Sequence, residues 1–529
     1  MRNFQAGGRS PAFGTEGMVA TSHPAASLAG LDALRAGGNA MDAAIAAAAV
    51  LAVVEPQSTG IGGDVFCLLS PKGGADVLAY NGSGRAPGAA DADALCAAGH
   101  ETIDLESPHA VTVPGAVDAW VRLADDHGRL GLDRLLAPAI ALAEGGAPVH
   151  PRVAYDWARS RDKLARRAAS AALFLPDGQA PVPGARHRQP ALAQTLRRIA
   201  SHGRSGFYDG PVAADMIAAL AAEGGVHTQE DFAIAAGAYV EPVRTAYRGY
   251  EIVECPPNGQ GLVVLMMLNL LAGFDLSVLD PLGPERFHLE GEAARLAYRD
   301  RNALIADPDA HPVPVTDLLS ERYAAGLHAL IAPERRLAAL PPAGAVRSAD
   351  TVYLCAVDAE RNAVSFINSL FHSFGSGILA SGSGVMLHNR GAGFSLEPGH
   401  PNRLSPGKRP LHTIIPGMLI EGARTVMPFG VMGGHFQPVG NVHLLTNLID
   451  YNLNPQAALD LARGFCTEEA YELEQGVPNA TARALAELGH RVVPADEPLG
   501  GGQVIRIDWQ NGVLIGGSDP RKDGCALGY

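Results

Sequence analysis

Cysteine, positive charge and uninterrupted apolar runs are all scarce in this sequence of 529 residues. Its six cysteines are widely scattered and form no CxxC pair, which argues against a disulfide framework and predicts buried, reduced thiols. The formal net charge is −14, and no stripe of Lys and Arg is interleaved with aromatic residues, so nucleic acid is not an expected partner. These scarcities leave small molecules as the expected substrates.

Neither a signal peptide nor a membrane span is predicted. The first long apolar run, AMDAAIAAAAVLAVV, contains Asp42 and is too short to cross a bilayer. The N-terminal stretch MRNFQAGGRSPAFGTEG lacks the apolar core that a signal peptide needs. The sequence therefore predicts a cytoplasmic protein with no membrane partner.

Several common catalytic motifs are also missing. There is no GxSxG elbow, no HExxH, no Walker lysine and no GxGxxG after a predicted strand. Asp307, Asp309 and His311 could suggest a metal site, but Asp-Pro is common turn chemistry and no second ligand cluster accompanies them. We predict a loop there and neither a metal nor an organic cofactor.

What the sequence does contain is typical of a large globular protein. Hydrophobic residues make up 47%, charged residues only 18%, and 62 Gly and 38 Pro indicate many tight turns. The length indicates either two to four units or one large layered fold.

The order of elements changes along the chain. Between residues 27 and 54 the pattern predicts a helix, a stop at GGN and a buried helix, and VFCLLS then predicts a core strand. Residues 135–309 are mostly helical in pattern, with a charged and solvated helix face in HLEGEAARLAYRDRN. A linker is predicted over residues 333–350. After it, TVYLCAV, DAERN and AVSFINS predict a strand, a turn and a strand, and the remainder is richer in strands.

Thr351 stands at the junction between this linker and the first strand after it. Most threonines at strand starts simply suit a pleated, half-buried surface. The alternative is an N-terminal nucleophile whose own α-amino group serves as the base, and that amine exists only after the Asp350–Thr351 peptide is cut. The residue alone does not decide between the two interpretations.

Seven segments spread over nearly the whole chain carry a resemblance that bears on this choice. In order they are GGNAMDAAIAAAAVLAVVEPQSTGIGGDVFCL, VTVPGAVDAW, DTVYLCAVDAERNAVSF, FGSGI, SPGKRPLHTIIP, VMGGHFQP and GGSDPRKDGCALGY. Together they resemble the signature segments of the gamma-glutamyltranspeptidase family.

The resemblance implies an α+β, four-layer αββα sandwich of the N-terminal nucleophile hydrolase type. It also implies self-cleavage into a large fragment (residues 1–350) and a small fragment (residues 351–529) that remain together as a heterodimer, with a dimer of heterodimers as a further option. Thr351 takes the place of the catalytic threonine and Ser369 supports it. Gly433 and Gly434 match the glycine pair whose N–H groups stabilise the oxyanion, a contribution of roughly 3 kcal/mol per donor.

The sequence departs from the family where the γ-glutamyl group should bind. Ser83 replaces the arginine that clamps the carboxylate, and Gly393 replaces the aspartate that holds the ammonium group. Because unpartnered buried charges cost several kcal/mol, such a site should bind a γ-glutamyl group poorly. The residues predicted to bind substrate instead are Arg85, Phe371, Arg390, His412, Thr413 and His435.

We therefore expect hydrolysis of a small, anionic acyl amide, with oxamate as the leading substrate. One alternative is a true gamma-glutamyltransferase or glutathione hydrolase whose contacts have moved to Arg85 and Arg390. Another is an uncleaved, inactive scaffold or binding protein.

Overall fold

The computed structural model describes residues 8–337, 340 and 351–529. The strands are β1 (Ala12–Gly14), β2 (Met18–Thr21), β3 (Asp64–Ser70), β4 (Leu78–Gly82), β5 (Ala147–Pro148), β6 (Arg186–His187), β7 (Ala238–Val240), β8 (Val243–Tyr247), β9 (Tyr250–Glu254), β10 (Val352–Val357), β11 (Ala363–Ser369), β12 (Leu379–Ala380), β13 (Val385–Met386), β14 (Gly417–Glu421), β15 (Arg424–Met432), β16 (Gly464–Cys466), β17 (Tyr471–Leu473), β18 (Val492–Pro494), β19 (Gly501–Asp508), β20 (Val513–Ser518) and β21 (Cys525–Gly528).

The α-helices of the described residues separate these strands into groups. They are α1 (Pro24–Arg35), α2 (Ala40–Val54), α3 (Ala92–Ala97), α4 (Ala116–His127), α5 (Leu132–Gly145), α6 (Pro151–Arg159), α7 (Arg161–Ala165), α8 (Ala168–Phe174), α9 (Pro190–His202), α10 (Ser205–Tyr208), α11 (Gly210–Ala221), α12 (Gln229–Ile234), α13 (Gly261–Leu271), α14 (Pro284–Leu304), α15 (Val315–Leu318), α16 (Glu321–His328), α17 (Gln437–Ile449), α18 (Pro455–Asp460) and α19 (Asn479–Glu487).

Two seven-stranded antiparallel sheets form the centre of the fold. The first has the order β1-β20-β19-β15-β14-β9-β8, and the second has the order β21-β2-β10-β11-β3-β4-β7. Both sheets combine strands from before and after Thr351, and the outer strands of the first sheet, β8 and β9, lie far from β15 in sequence. The described residues on the two sides of Thr351 are therefore joined through both sheets.

Three apolar cores hold the four layers of the fold together. One core lies between the sheets and joins residues such as Tyr353 and Ile367 to Met418 and Ile505. A second packs helices including α2 against the outer face of the second sheet, and a third packs α13, α14 and α17 against the outer face of the first. Burying both faces of both sheets in this way produces the αββα sandwich that the family resemblance implies.

The strand pair after the linker is confirmed, and it places the nucleophile candidate. β10 and β11 are adjacent and antiparallel, with Val352 opposite Asn368. β11 also pairs with β3, so that Ser369 lies opposite Asp64. The strand predicted at VFCLLS and the two helices on either side of GGN are confirmed as well, the second helix being capped by Asn39 and Asp42.

Two predictions, on the face of one helix and on the cysteines, need correction. The polar face of α14 is not solvated: Glu290 and Glu292 are buried and paired with Arg286 and Arg295, which offsets the cost of burying their charges. The prediction that residues 135–309 are mostly helical is confirmed by α5 to α14, among which the short strands β5 to β9 lie. Of the cysteines expected to be buried, Cys96 is exposed and Cys525 is only partly buried.

No helix within the described ranges has the length and hydrophobicity needed to span a membrane. The predicted linker over residues 333–350 lies mostly outside the described residues, as does Asp350, the residue before the predicted cleavage point.

Candidate active site

Thr351 is fully buried at the entry to β10, beside the end of β11. Its Oγ1 lies 3.0 Å from the Oγ of Ser369, and this Oγ accepts the backbone N–H of Phe371 at 2.8 Å. The hydroxyl of Thr351 is thus held by a second hydroxyl that is itself held by the main chain. The structure brings the predicted nucleophile and its supporting serine together.

The loop before β3 lies against the end of β11. A Cβ atom at Gly63 would lie 2.3 Å from the carbonyl oxygen of Ser369, so only glycine permits this approach. The GIGGD segment therefore serves close packing behind the hydroxyl pair.

Gly433 and Gly434 form a turn between β15 and α17. Their φ angles are +125° and +57°, a backbone region that favours glycine. The side chain of Gln260 fixes this turn, because its Nε2 donates to the carbonyl oxygen of Gly434 at 3.0 Å. Backbone N–H groups in such a turn are suited to stabilise a developing oxyanion.

Arg390 is completely buried, and its guanidinium group is only partly satisfied. Nη1 donates to Oγ1 of Thr413 at 2.8 Å, and Cζ lies 3.9 Å from the centre of the Phe371 ring. Neither Nε nor Nη2 has a hydrogen-bond partner among the described residues. Burial lowers the pKa of Arg390 to about 9, and the neighbouring Asp64 opposes this shift, so the group is charged at neutral pH.

Phe371 adopts a positive φ of +76°, which is unusual for a bulky residue. Its N–H is bound by Ser369 and its ring lies under Arg390. The backbone that supports the nucleophile and the ring that orients the arginine thus belong to one residue.

A buried carboxylate lies behind this group. Asp64 Oδ1 accepts the N–H groups of Gly84 and Gly115, each at 3.0 Å, and its Oδ2 lies 3.1 Å from Nε2 of His412 and 3.5 Å from Nδ1 of His388. Burial alone would raise the pKa of Asp64. The interactions with the two histidines outweigh burial and lower it to about 2.

His412 has both ring nitrogens engaged. Nε2 donates to Asp64, and Nδ1 accepts the N–H of Ile414 at 3.4 Å. Burial, with a further contribution from Arg390, lowers the pKa of His412 to about 3. The ring is therefore neutral near pH 7 and anchors the segment that carries Thr413.

His435 follows the glycine pair and is held by α14. Its Nδ1 lies 3.0 Å from Nη1 of Arg301, and its carbonyl oxygen accepts the hydroxyl of Tyr298. Burial and the charge of Arg301 lower the pKa of His435 well below its ordinary value. Its ring centre is 5.9 Å from that of Phe371, which brings it to the same site.

Arg85 has different surroundings from Arg390. It is 37% exposed, and it pairs with Asp309 at 2.8 Å and Asp307 at 3.4 Å and donates to the carbonyl oxygen of Gly407 at 3.0 Å. Together with Ser83 it lines a cavity of about 180 Å³. Its role in substrate binding stays a prediction.

Among the described residues, one group of side chains has the spacing to hold a metal ion. Ligand atoms of His288, Glu292 and His490 lie within 4.8 Å of one another. They are already paired, since Nδ1 of His288 meets Nε2 of His490 at 2.8 Å and Glu292 accepts from Arg295 and from the N–H of Leu337. A closed hydrogen-bond network explains this cluster.

Sequence reasoning missed Asp64, Gln260 and Arg301 as parts of the site. Asp64 ends the GIGGD segment and Arg301 lies on a helix that was predicted to be solvated. Neither segment carries a local pattern that assigns a role to these two residues. Only the folded chain brings them beside Arg390, Gly434 and His435.

The fold is that of an N-terminal nucleophile hydrolase, with the candidate nucleophile at the start of a central strand. The family model described as gamma-glutamyltranspeptidase matches residues 26–529, and the chain belongs to this family. It is an amide hydrolase of that family.

Individual relatives match over almost their full length. The chain is 38% identical over 526 residues to the glutathione hydrolase-like YwrD proenzyme of Bacillus subtilis, covering 98% of this chain and 99% of that protein. It is 37% identical over 531 aligned positions to the oxamate amidohydrolase proenzyme of Klebsiella pneumoniae, covering 97% and 99%. A crystal structure of cephalosporin acylase from Bacillus halodurans superimposes with a TM-score of 0.94 at 42% identity, covering 100% of this chain and 98% of that one.

Proposed function

We propose that this chain is a self-processing amidohydrolase that cleaves small amides whose acyl group carries a carboxylate. Thr351 is the nucleophile, and Arg390 receives the carboxylate. The observation that carries this proposal is the buried, charged and partly unpaired guanidinium of Arg390.

A buried charge without partners is costly, and it is tolerated where function requires it. Nη1 of Arg390 is taken by Thr413, whereas Nε and Nη2 form the opposite edge of the planar guanidinium group. That edge matches the two oxygens of a carboxylate. The ring of Phe371, 3.9 Å from Cζ, supports the guanidinium group, and a bound anion would complete the hydrogen bonds of Arg390.

Maturation requires one peptide cleavage. The Thr351 hydroxyl attacks the carbonyl carbon of the preceding residue, the peptide C–N bond breaks and an ester remains on Oγ1. Water hydrolyses this ester, which leaves a carboxylate on Asp350 and a free α-amino group on Thr351. The two fragments stay together as a heterodimer because both central sheets contain strands of each.

Substrate hydrolysis then repeats the chemistry on an external amide. The α-amino group takes the proton of the Thr351 hydroxyl as Oγ1 bonds to the amide carbon, and the N–H groups of Gly433 and Gly434 stabilise the oxyanion. Collapse breaks the C–N bond, and the proton passes to the leaving amine. Water attacks the resulting ester and releases the acid and the Thr351 hydroxyl.

The acyl group is expected to be short, and oxamate is the leading candidate substrate. Phe371 and Arg390 both belong to the nucleophile's immediate surroundings, since Phe371 is hydrogen-bonded to Ser369. The relative named oxamate amidohydrolase supports this choice.

Matched pairs of amides test the proposal. Oxamate and oxamide differ in one carboxylate, and succinamate and succinamide differ in the same way at a longer spacing. We expect the matured protein to prefer the acid of each pair by at least about 100-fold in kcat/KM, since two charge-assisted hydrogen bonds are gained. Equal rates within each pair, or strong preference for a γ-glutamyl anilide, would contradict the proposal.

A further inference from the structure

A single buried carboxamide joins the two functional segments of the site. Gln260 precedes α13 and has no exposed surface. Its Nε2 donates to the carbonyl oxygen of Thr413 at 2.9 Å and to that of Gly434 at 3.0 Å. Its Oε1 accepts from Nη1 of Arg301 at 2.8 Å.

Each of these contacts has a consequence for the reaction. Thr413 is the partner of Arg390, and Gly434 belongs to the oxyanion turn. Gln260 therefore fixes the distance between the carboxylate receptor and the oxyanion donors. Main-chain bonds reinforce this position, since the N–H of Gln260 donates to the carbonyl oxygen of His412 at 2.9 Å.

The oxyanion turn needs such support. Gly433 and Gly434 have the conformational freedom of positive-φ glycines, and oxyanion donors act only when they lie within about 2.7–3.1 Å of the developing charge. Without Nε2 of Gln260, the carbonyl oxygen of Gly434 would keep only the N–H of Gln437, which belongs to the same turn, and the turn would lose its side-chain link to Thr413.

We propose that Gln260 is a positioning residue that holds the Gly434 turn in register with the acyl-binding segment at Thr413. This inference rests on the proposed function. It adds a residue that touches neither the reacting atoms nor the substrate but determines how well the two meet.

A matched control exists elsewhere in the chain. Gln456 is also buried; its Nε2 donates to the carbonyl oxygen of Ser518 and to Asp460, and its Oε1 accepts the N–H of Ser518. It makes the same number of hydrogen bonds at α18, among residues that take no part in the site. Gln260→Leu and Gln456→Leu therefore remove equivalent groups.

The experiment compares kcat, KM and Tm of the two variants with the wild type, with oxamate as substrate. We expect similar losses in Tm, but a fall in kcat of about 10- to 100-fold, with KM changed less than about threefold, only in Gln260→Leu. Gln260→Glu is a second variant that keeps the acceptor for Arg301 and removes the amide donors. It should also lose kcat.

The outcomes separate the two hypotheses. If wild-type protein with Thr351 at a free N-terminus hydrolyses none of the carboxylate amides, the proposed function fails and this inference fails with it. If the wild type is active and kcat falls equally in both leucine variants, or not at all in Gln260→Leu and Gln260→Glu, only the role of Gln260 is overturned.

Discussion

Replacing Arg390 by methionine should separate stability from activity. Methionine has a similar length and can lie on the Phe371 ring, but it carries no charge and no donor. A buried arginine that only stabilises the fold would be costly to remove. A buried arginine that is kept for a ligand should be cheap to remove from the free protein.

The magnitude follows from its contacts. The change removes one charged hydrogen bond to Thr413, about 1.5–3 kcal/mol, and a cation–π contact of about 1–2 kcal/mol. It also removes two unpaired buried donors, Nε and Nη2, whose desolvation costs about 1–3 kcal/mol each. These contributions nearly cancel, so the free energy of unfolding should change by less than about 2 kcal/mol.

Arg463 provides the comparison. It is equally buried, but it is paired with Asp519 at 2.5 Å and with the carbonyl oxygen of Leu499 at 2.8 Å. Arg463→Met removes two charged hydrogen bonds, those to Asp519 and Leu499, and should cost about 3–5 kcal/mol although Arg521 still pairs with Asp519 at 3.2 Å. Urea unfolding of both variants, at matched pH and with no substrate present, measures the difference.

The loss of activity should rank the two variants in the opposite order, with the larger loss in Arg390→Met. Loss of the two charge-assisted bonds to a substrate carboxylate amounts to about 3–6 kcal/mol, or roughly 10²- to 10⁴-fold in kcat/KM for oxamate, expressed chiefly in KM. Turnover of oxamide should hardly change. An Arg390→Met protein as unstable as Arg463→Met, or one that still hydrolyses oxamate normally, would refute the reasoning.

Three further predictions concern the surroundings of the nucleophile. Gly434→Val should lower kcat about 10- to 100-fold in a well-folded protein, because a β-branched residue is strained at φ +57° and displaces an oxyanion donor; unchanged turnover would place that donor elsewhere. Arg85→Ala should raise KM for oxamate much less than Arg390→Ala does, since Asp307 and Asp309 already occupy its donors, and an equal rise would assign Arg85 to the pocket. The folded pKa of Asp64 is about 2, below its ordinary 3.8, so this carboxylate stabilises the fold by about 2 kcal/mol above pH 4 and loses that effect as the pH falls toward 2. His412 has a folded pKa of about 3, so it adds a loss of folding stability that begins as the pH falls below 6.5. Urea unfolding between pH 7 and pH 3 should show falling stability, less steeply at the acid end in Asp64→Asn, and a flat profile in the wild type would contradict both assignments.

The hydroxyl pair was assigned from the family resemblance, and the strand pair predicted from the sequence explains why its two members meet. Two strands joined by a short turn bring the start of β10 beside the end of β11, where Thr351 and Ser369 lie. The layered fold followed from the family resemblance, since the two sheets join strands too far apart in sequence for periodicity to pair them.

The binding residues were harder to rank. Sequence comparison presents Arg85 and Arg390 as equivalent replacements for a lost glutamyl clamp, and only the fold shows that one is paired at the surface and the other is buried and partly unpaired. The state of an arginine depends on carboxylates supplied by distant segments, and no local pattern encodes that. For the same reason the prediction of a solvated face on α14 was wrong. Glu468 pairs with Arg295 of this helix and His443 pairs with its Glu290, and both partners come from distant parts of the sequence.

The N-terminal residue of the small fragment tests the central claim most directly. Intact mass and N-terminal sequencing of the purified protein should show two chains, one of them beginning at Thr351 and containing residues 351–529. Thr351→Ala should remain a single chain of 529 residues and hydrolyse none of the amides. A wild-type protein that stays whole while it is active, or a Thr351→Ala variant that is still cut before residue 351, would contradict the assignment of Thr351 as the nucleophile.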